Sequence, residues 1–295
     1  MMSPPPPDES TRKSALTAGF TLIELSVVLV IIGLIVGGVL VGQDLIKAAA
    51  LRAQISDFEK FNTAVNTFNL KYSCLPGDCA NATSFFSSSV IQVPGAGANG
   101  NGNGILDDWS DTTGFPETIL LEPALFWSEL YAAGFTKCCD GSLYTDDLGS
   151  VIIGTTVPQD RLNGYGISVG NLYGRNGYYW GITTSTGVAG WSDGCGGGAN
   201  YLCDLSVLTR NGGGGVITPL QAQAFDTKVD DGNPATGNVY AAFLWSGDNH
   251  IHSQTNPVET DGYLPGNCLT ASTPYAYNGS YGSPACSLWI NMQGM

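Results

Sequence analysis

The chain has 295 residues, of which 12% are charged and 40 are glycine, and its formal net charge is −14. Residues 20–72 carry four acidic and four basic side chains, whereas residues 73–295 carry 19 acidic and five basic ones. This acidic balance excludes a nucleic-acid-binding surface, which needs a basic footprint, and it permits the binding of divalent cations.

The first predicted element is an apolar helix that carries one acid at its front edge. Residues 25–42 are eighteen consecutive residues without a charge. As a helix they would span ~27 Å, close to the thickness of the hydrocarbon layer of a bilayer. Glu24 stands directly before them, and an acid costs about 2–3 kcal/mol at the centre of a bilayer and less near its edge. Glu24 is therefore either an interfacial side chain that reaches the headgroups or a functional acid with a partner.

The residues around Glu24 read G-F-T-L-I-E-L over positions 19–25, after two basic residues at positions 12 and 13. This stretch resembles the processing site of type IV prepilins and of the related type II secretion pseudopilins. The resemblance implies cleavage by prepilin peptidase after Gly19 and N-methylation of the new terminal Phe20. It also implies that Glu24 pairs with the amino terminus of a neighbouring subunit during filament assembly. Residues 1–19 would then be a leader that takes no part in the fold.

The resemblance implies a whole-chain organisation. We expect an α+β, pilin-like fold, with an N-terminal transmembrane and amphipathic helix over residues 20–72. Its first half would span the membrane, and the helix would pack on an antiparallel sheet in a large loop-rich extracytoplasmic domain, residues 73–295. The expected function is that of a structural subunit of a type IV pilus or type II secretion pseudopilus, not an enzyme and without a required cofactor. The expected location is the bacterial inner membrane with a cytoplasmic N-terminus, followed by a periplasmic or cell-surface filament. The partners would be other subunits, the peptidase and the inner-membrane assembly platform.

Two patterns divide the long helix. Gly33, Gly37, Gly38 and Gly42 make two G-x-x-x-G spacings, which indicate close helix packing, local softening or only the usual glycine content of membrane helices. Farther on, apolar residues recur every three or four positions and predict one buried stripe against a sheet: Leu51, Ile55, Phe58, Phe61, Val65, Phe68 and Tyr72.

Eight cysteines, all after the apolar helix, indicate disulfides formed in an oxidising compartment. Cys138 and Cys139 are adjacent, and a ring between neighbours is strained, so their state is open. Zinc binding is the rival interpretation, although the spacings do not make the paired C-x-x-C pattern of zinc ribbons. The pairs we favour are local in sequence: Cys74–Cys79, Cys195–Cys203 and Cys268–Cys286.

A turn and an asparagine-glycine loop follow the helix. The segment Leu-Pro-Gly-Asp at residues 75–78, then Asn-Ala-Thr, resembles a stretch found after the helix in a subset of prepilin-like proteins. In the loop, Asn99, Asn101, Asn103 and Asp107 partly match the first half of a calcium loop. The neutral ligands and Ser110, where a bidentate glutamate is expected, leave a flexible loop as the alternative.

The remaining predicted elements are short. Glu122 and Pro123 open a helix that ends before Gly134, and residues 151–184 have the apolar and aromatic runs of β-strands. Thr218 and Gln221 predict a capping box at the start of a helix to about residue 229, and residues 238–245 predict a buried strand. Three acids lie around the end of that helix: Asp226, Asp230 and Asp231. They indicate either a cation site or a turn that ends the helix.

Catalytic patterns are weak. Residues 166–170 match G-x-S-x-G around Ser168, but no helical pattern follows, and His250 and His252 are the only histidines. Neither histidine has an identifiable set of zinc co-ligands. Two functions from other classes stay open: a calcium-dependent adhesin or binding head on a pilin stem, and an extracytoplasmic enzyme held by an uncleaved signal anchor.

Overall fold

A computed structural model describes residue 2 and residues 21–91, 98–106, 122–140, 153–172, 175–182, 215–244, 251–253, 267–270 and 276–292. The fold is α+β. The helices are α1 (Leu22–Tyr72), α2 (Ser88–Ile91), α3 (Glu122–Ala132) and α4 (Pro219–Val229), with a 3-10 turn at Ala82–Ser84. The strands are β1 (Gly166–Leu172), β2 (Arg175–Ile182), β3 (Val239–Leu244), β4 (Ile251–Ser253) and β5 (Ser287–Asn291).

The chain divides into two compact units, Met1–Ala48 and Ala49–Met295, and helix α1 contributes to both. In the first unit the large apolar side chains of α1 are exposed along the whole segment. Leu22 near its start is 89% exposed, and Ile46 near its end is 70% exposed. An 18-residue window of this helix has a mean hydropathy of 2.9, so the helix is long and apolar enough to cross a membrane.

In the second unit, α1 carries the predicted buried stripe. Its buried members are Leu51, Phe58, Val65 and Phe68, and the other three pack partly buried against the same core. The ring of Phe58 lies 5.5 Å from that of Tyr178 in strand β2. The expected packing of an amphipathic helix on a sheet is therefore confirmed for this half of α1.

The sheet has five strands in the order β1-β2-β5-β3-β4, and every described pair is antiparallel. The antiparallel sheet that we expected from the resemblance is thus present. All five residues of β5 are buried, as expected for the central strand. Because β5 alone joins the β1-β2 pair to the β3-β4 pair, the C-terminal strand holds the sheet together.

The predicted β region over residues 151–184 is only partly correct. Strands β1 and β2 occupy its second part, whereas Ile153 and Val157 make no more than an isolated bridge. Between this bridge and β1, the segment after Asp160 is a loop, in which Oδ1 of Asp160 accepts the backbone N–H groups of residues 162–165 at 2.7–3.2 Å. Its Oδ2 accepts the indole N–H of Trp180 at 2.8 Å. Because the Asp160 side chain accepts these backbone N–H groups, residues 162–165 need no neighbouring strand as a hydrogen-bond partner.

The loop after Asp160 also contacts the part of α1 that belongs to the second unit. The backbone N–H of Arg161 donates to Oε1 of the buried Gln54 at 2.8 Å. The guanidinium of Arg161 lies 2.5 Å from Oδ2 of Asp57, and the ammonium of Lys60 lies 2.8 Å from the other oxygen of Asp57. These contacts join the helix to the edge of the sheet.

The sequence signals at the ends of α3 and α4 are confirmed. Gly134 has φ +76° just beyond α3, and its backbone N–H donates to the carbonyl of Tyr131. At α4, the N–H of Thr218 donates to Oε1 of Gln221 at 2.9 Å, and the N–H of Gln221 donates to the Thr218 hydroxyl at 3.3 Å. This reciprocal pair is the predicted capping box.

We predict that Gly177→Ala destabilises the domain by about 1–3 kcal/mol, because a Cβ at Gly177 would lie 2.5 Å from the indole of Trp289. Gly170, its partner across the β1-β2 pair, is the matched control, since a Cβ there would stand 3.9 Å from the same ring. Denaturant unfolding of both variants measures the difference. Equal losses for the two variants would contradict a steric requirement for glycine at position 177.

Candidate functional site

The N-terminus of the apolar helix contains a closed set of hydrogen bonds around Glu24. Its Oε2 accepts the backbone N–H of Thr21 at 2.8 Å and the hydroxyl of Thr21 at 2.7 Å. In return, the backbone N–H of Glu24 donates to that hydroxyl at 3.3 Å. This reciprocal arrangement is a capping box, which satisfies two of the free amides at a helix start. Glu24, the only acid of the apolar segment, is thus hydrogen-bonded within its own chain.

Among the residues that the structure describes, no contact requires the glycines of the apolar segment. A Cβ built at Gly33, Gly37, Gly38 or Gly42 would meet no atom of the described residues within 4 Å. The neighbouring side chains are also exposed, among them Leu34 at 73% and Ile35 at 59%. These glycines would permit the close approach of another helix backbone, which the described residues of this chain do not supply. Gly19 and Phe20, the expected processing residues, lie outside the described residues.

Beyond α1, a disulfide closes the turn at residues 74–79, where Cys74 and Cys79 are bonded with their Cα atoms 5.3 Å apart. Gly77 has φ +84°, and a Cβ on it would lie 2.3 Å from the carbonyl oxygen of Glu122. The turn therefore rests on the N-terminus of α3, and only glycine permits this approach.

Asp78 in this turn organises the asparagine-glycine loop. Its Oδ1 accepts the backbone N–H groups of Gly102 at 2.6 Å and Asn103 at 3.0 Å, and its Oδ2 accepts that of Gly104 at 2.7 Å. The side chain is 2% exposed. The loop thus wraps donors around an anion, which is the opposite polarity from the calcium loop that the sequence suggests.

The asparagine side chains named as calcium ligands accept backbone N–H groups. Oδ1 of Asn99 accepts from Thr83 at 2.9 Å, and Oδ1 of Asn101 accepts from Asn103 at 2.8 Å. Oδ1 of Asn103 accepts from Ile105 at 2.7 Å. Asp107 lies outside the described residues. Calcium binding by this loop would have to compete with these bonds.

Two further buried carboxylates lie where the turn and the loop meet α3. Glu122 and Glu129 are both fully buried. Oε1 of Glu122 accepts the backbone N–H of Asn101 at 2.9 Å, and Oε2 of Glu129 accepts that of Gly77 at 2.8 Å. Burial is the main reason that the pKa of Glu129 is raised to about 8, while the Gly77 N–H lowers it and the charges of Asp78 and Glu122 raise it. The sequence analysis did not single out Glu129; the acid within the apolar run of α3 is the sequence signal that could have identified it.

A cleft of about 470 Å³ opens beside this assembly. Its polar lining includes Asn69 and Ser73 at the end of α1, Asp78, Asn81 and Asn176. Asn176 also ties the loop to strand β2, because its Oδ1 accepts the N–H of Leu106 at 2.9 Å and its Nδ2 donates to the carbonyl of Gly104 at 2.8 Å.

The second acidic group lies at the end of α4, where Asp226, Asp230 and Asp231 each place a carboxylate oxygen within 4.8 Å of the others. Asp226 is fully buried and accepts the hydroxyl of Tyr277 at 2.9 Å and the N–H of Gly232 at 3.1 Å. Burial is the main reason that the pKa of Asp226 is raised to about 6; the two hydrogen bonds lower it, and the neighbouring acids raise it. The structure thus brings together all three carboxylates that the sequence suggests as a cation site.

Asp230 also ends the helix and starts the next strand. Its Oδ2 is hydrogen-bonded by the backbone N–H groups of Asn238 and Val239. Asp231 accepts the N–H of Asn233 at 2.8 Å and the hydroxyl of Thr236 at 2.6 Å. The helix-ending turn that the sequence offers as the alternative is therefore present with the same residues.

The structure bonds Cys268 to Cys286, which with Cys74–Cys79 makes two of the three pairs that the sequence favours. Cys195 and Cys203, the third pair, lie outside the described residues. Cys138 and Cys139 are bonded to each other, and Cys139 has φ +87°.

The serine of the G-x-S-x-G match does not lie on a strand-to-helix turn. Ser168 is in the middle of β1, 2% exposed and opposite Tyr179 of β2. His252 lies in β4, opposite Phe243, and His250 lies outside the described residues. A nucleophile elbow requires an exposed serine at a sharp turn, so this match has no such geometry.

Chemically, the described residues offer an apolar helix segment with one hydrogen-bonded acid, one group of buried carboxylates around Asp78, and a second group in which only Asp226 is buried. The Asp78 group faces backbone donors and the Asp226 group faces a tyrosine hydroxyl and backbone donors. Comparisons of the chain with protein-family models, curated proteins and solved structures found no match.

Proposed function

We propose that this chain is a prepilin-like structural subunit of a type IV pilus or a type II secretion pseudopilus. The observation that carries the proposal is the part of α1 from residue 22 to residue 42, an exposed apolar segment whose only acid, Glu24, lies in the first turn of the helix. The glycines of this segment support it, because no described residue lies within 4 Å of a Cβ built on them and they are suited to close packing with other helices. The extracytoplasmic domain, with disulfides and an acidic surface, would form the outside of the filament.

The physical role of Glu24 follows from its surroundings. Within one chain its carboxylate is bound by Thr21, which reduces but does not remove the cost of an acid next to hydrocarbon. A terminal ammonium from a neighbouring subunit would supply the missing charge, and opposite charges attract strongly in an apolar medium. Pairing would therefore favour the assembled helix bundle over the isolated subunit, and Thr21 would hold the carboxylate in position before assembly.

We predict that Glu24→Ala and Glu24→Gln leave the amount of membrane protein unchanged but lower filament yield at least about tenfold, the effect of ~1.4 kcal/mol per contact. Sheared-filament assays and electron microscopy measure the yield. Glu59→Gln removes an exposed acid elsewhere on the same helix and is the matched control. Normal filaments from both Glu24 variants would contradict the assembly role.

We predict that Gly19→Ala blocks maturation, because cleavage of the leader depends on the residue before the cut. Mass spectrometry of the wild-type N-terminus should find methylated Phe20, and the variant should retain residues 1–19. A wild-type protein that begins at Met1 would instead favour the signal-anchored enzyme, and it would overturn the processing that we propose.

A calcium-dependent binding head on the same stem is the second candidate function. The observation that favours it is the group of Asp226, Asp230 and Asp231, whose oxygens lie within 4.8 Å of one another. Carboxylates are the preferred ligands of calcium, and a head of this kind would bind a surface partner while the helix serves assembly.

We expect, if this second candidate is right, that millimolar calcium raises the melting temperature of the protein more than magnesium does. Asp231→Asn, which removes the exposed member of the group, should abolish the rise. Asp44→Asn on α1 should keep it, since Asp44 is exposed and distant in sequence. The same melting temperature with and without calcium would eliminate this candidate.

A further inference from the structure

Glu129 is a buried carboxyl group that has no part in the proposed assembly through α1. Its side chain is fully buried, Oε2 accepts the backbone N–H of Gly77, and Oε1 has no hydrogen-bond partner among the described residues. A buried carboxylate with an unpaired oxygen is costly in its charged form, whereas a neutral carboxyl group costs much less.

The charges that act on Glu129 make ionisation harder. They are the carboxylates of Asp78 in the turn and of Glu122 on the same helix. Helix α2 and strand β1, which also pack on α3, carry no titratable side chain. Lys71, at the end of α1, has its ammonium 5.0 Å from the ring of Tyr72. In the described residues, the electrostatic surroundings of Glu129 are therefore acidic.

We propose that Glu129 is a proton-binding site, and that its proton holds the disulfide-closed turn and the asparagine-glycine loop on helix α3. The three carboxylates act together, because each accepts backbone N–H groups from the parts that they join. Glu129 binds the turn, Glu122 binds the loop, and Asp78 in the turn binds the loop again. Loss of the proton places a third negative charge in this closed space and loosens the turn and the loop.

The direction of the pH dependence follows from the pKa of Glu129, which burial raises from 4.5 to about 8 in the folded chain. Stability from this group is fully present below pH 4.5, where both the folded and the unfolded chain bind the proton. It declines as the pH rises, since only the folded chain keeps the proton until about pH 8. Between these values one proton changes the folding constant about tenfold per pH unit.

The test compares the full chain in detergent with Glu129→Gln, which keeps the shape of the side chain and an oxygen that accepts from Gly77. We expect the ratio of variant to wild-type folding constants to rise about tenfold per pH unit from pH 5 to 7.5 and to level off above pH 8. Glu59→Gln, an exposed glutamate on α1, should give a constant ratio. Denaturant unfolding at each pH provides the constants.

A second measurement follows the titration of the carboxyl group directly. In the wild-type protein labelled with ¹³C at its glutamate carboxyl carbons, one signal should titrate near pH 8, and it should be missing in Glu129→Gln. A ratio that does not change with pH, or a Glu129 carboxyl that titrates near its ordinary value, overturns the proposal. So does stabilisation of the wild type, but not of Glu129→Gln, by calcium or magnesium chloride at pH 8, because the occupant would then be a cation.

Discussion

The ring of Phe58 is the contact on which the domain depends, because three elements meet there. It lies 5.5 Å from Tyr178 and 5.9 Å from Trp180 in strand β2, and 5.6 Å from Phe225 in helix α4. Aromatic pairs at these distances add favourable edge-to-face contacts to the burial of large apolar areas. A single turn of α1 therefore joins the helix, the sheet and the second helical layer in one core. Any movement of this part of α1 disturbs all three layers.

Around that core, aspartate side chains accept backbone N–H groups that would bond to backbone carbonyls in a helix or a sheet. A chain with 40 glycines has long irregular segments, whose backbone amides need acceptors when they are buried. Asp78, Asp160 and Asp230 each collect two or more such amides. The net charge of −14 thus includes structural carboxylates, and acidity is not by itself a sign of cation binding in this chain.

Local patterns predicted the regular elements well. The three- and four-residue spacing along α1, the proline and glycine around α3 and the Thr218 capping box act through neighbours in sequence, and the structure contains all of them. The contacts that escaped prediction are distant in sequence. Glu129 binds an amide 52 residues away, and Asp78 binds amides 24–26 residues away. No periodicity encodes such partners, so an Asn-Gly loop that surrounds an anion resembled a loop that surrounds calcium.

The strand order has a consequence for how the domain reaches its folded state. The β1-β2 and β3-β4 pairs are each local, yet among the described strands they join only through β5, which follows the other four in sequence. Contacts between distant segments form slowly, because the intervening chain must be ordered first. A chain that is synthesised from its N-terminus would therefore hold two separate strand pairs until Ser287–Asn291 is available. Among the described strands, the one that unites the sheet is therefore the last to be synthesised, so the two strand pairs must stay unpaired with each other until then.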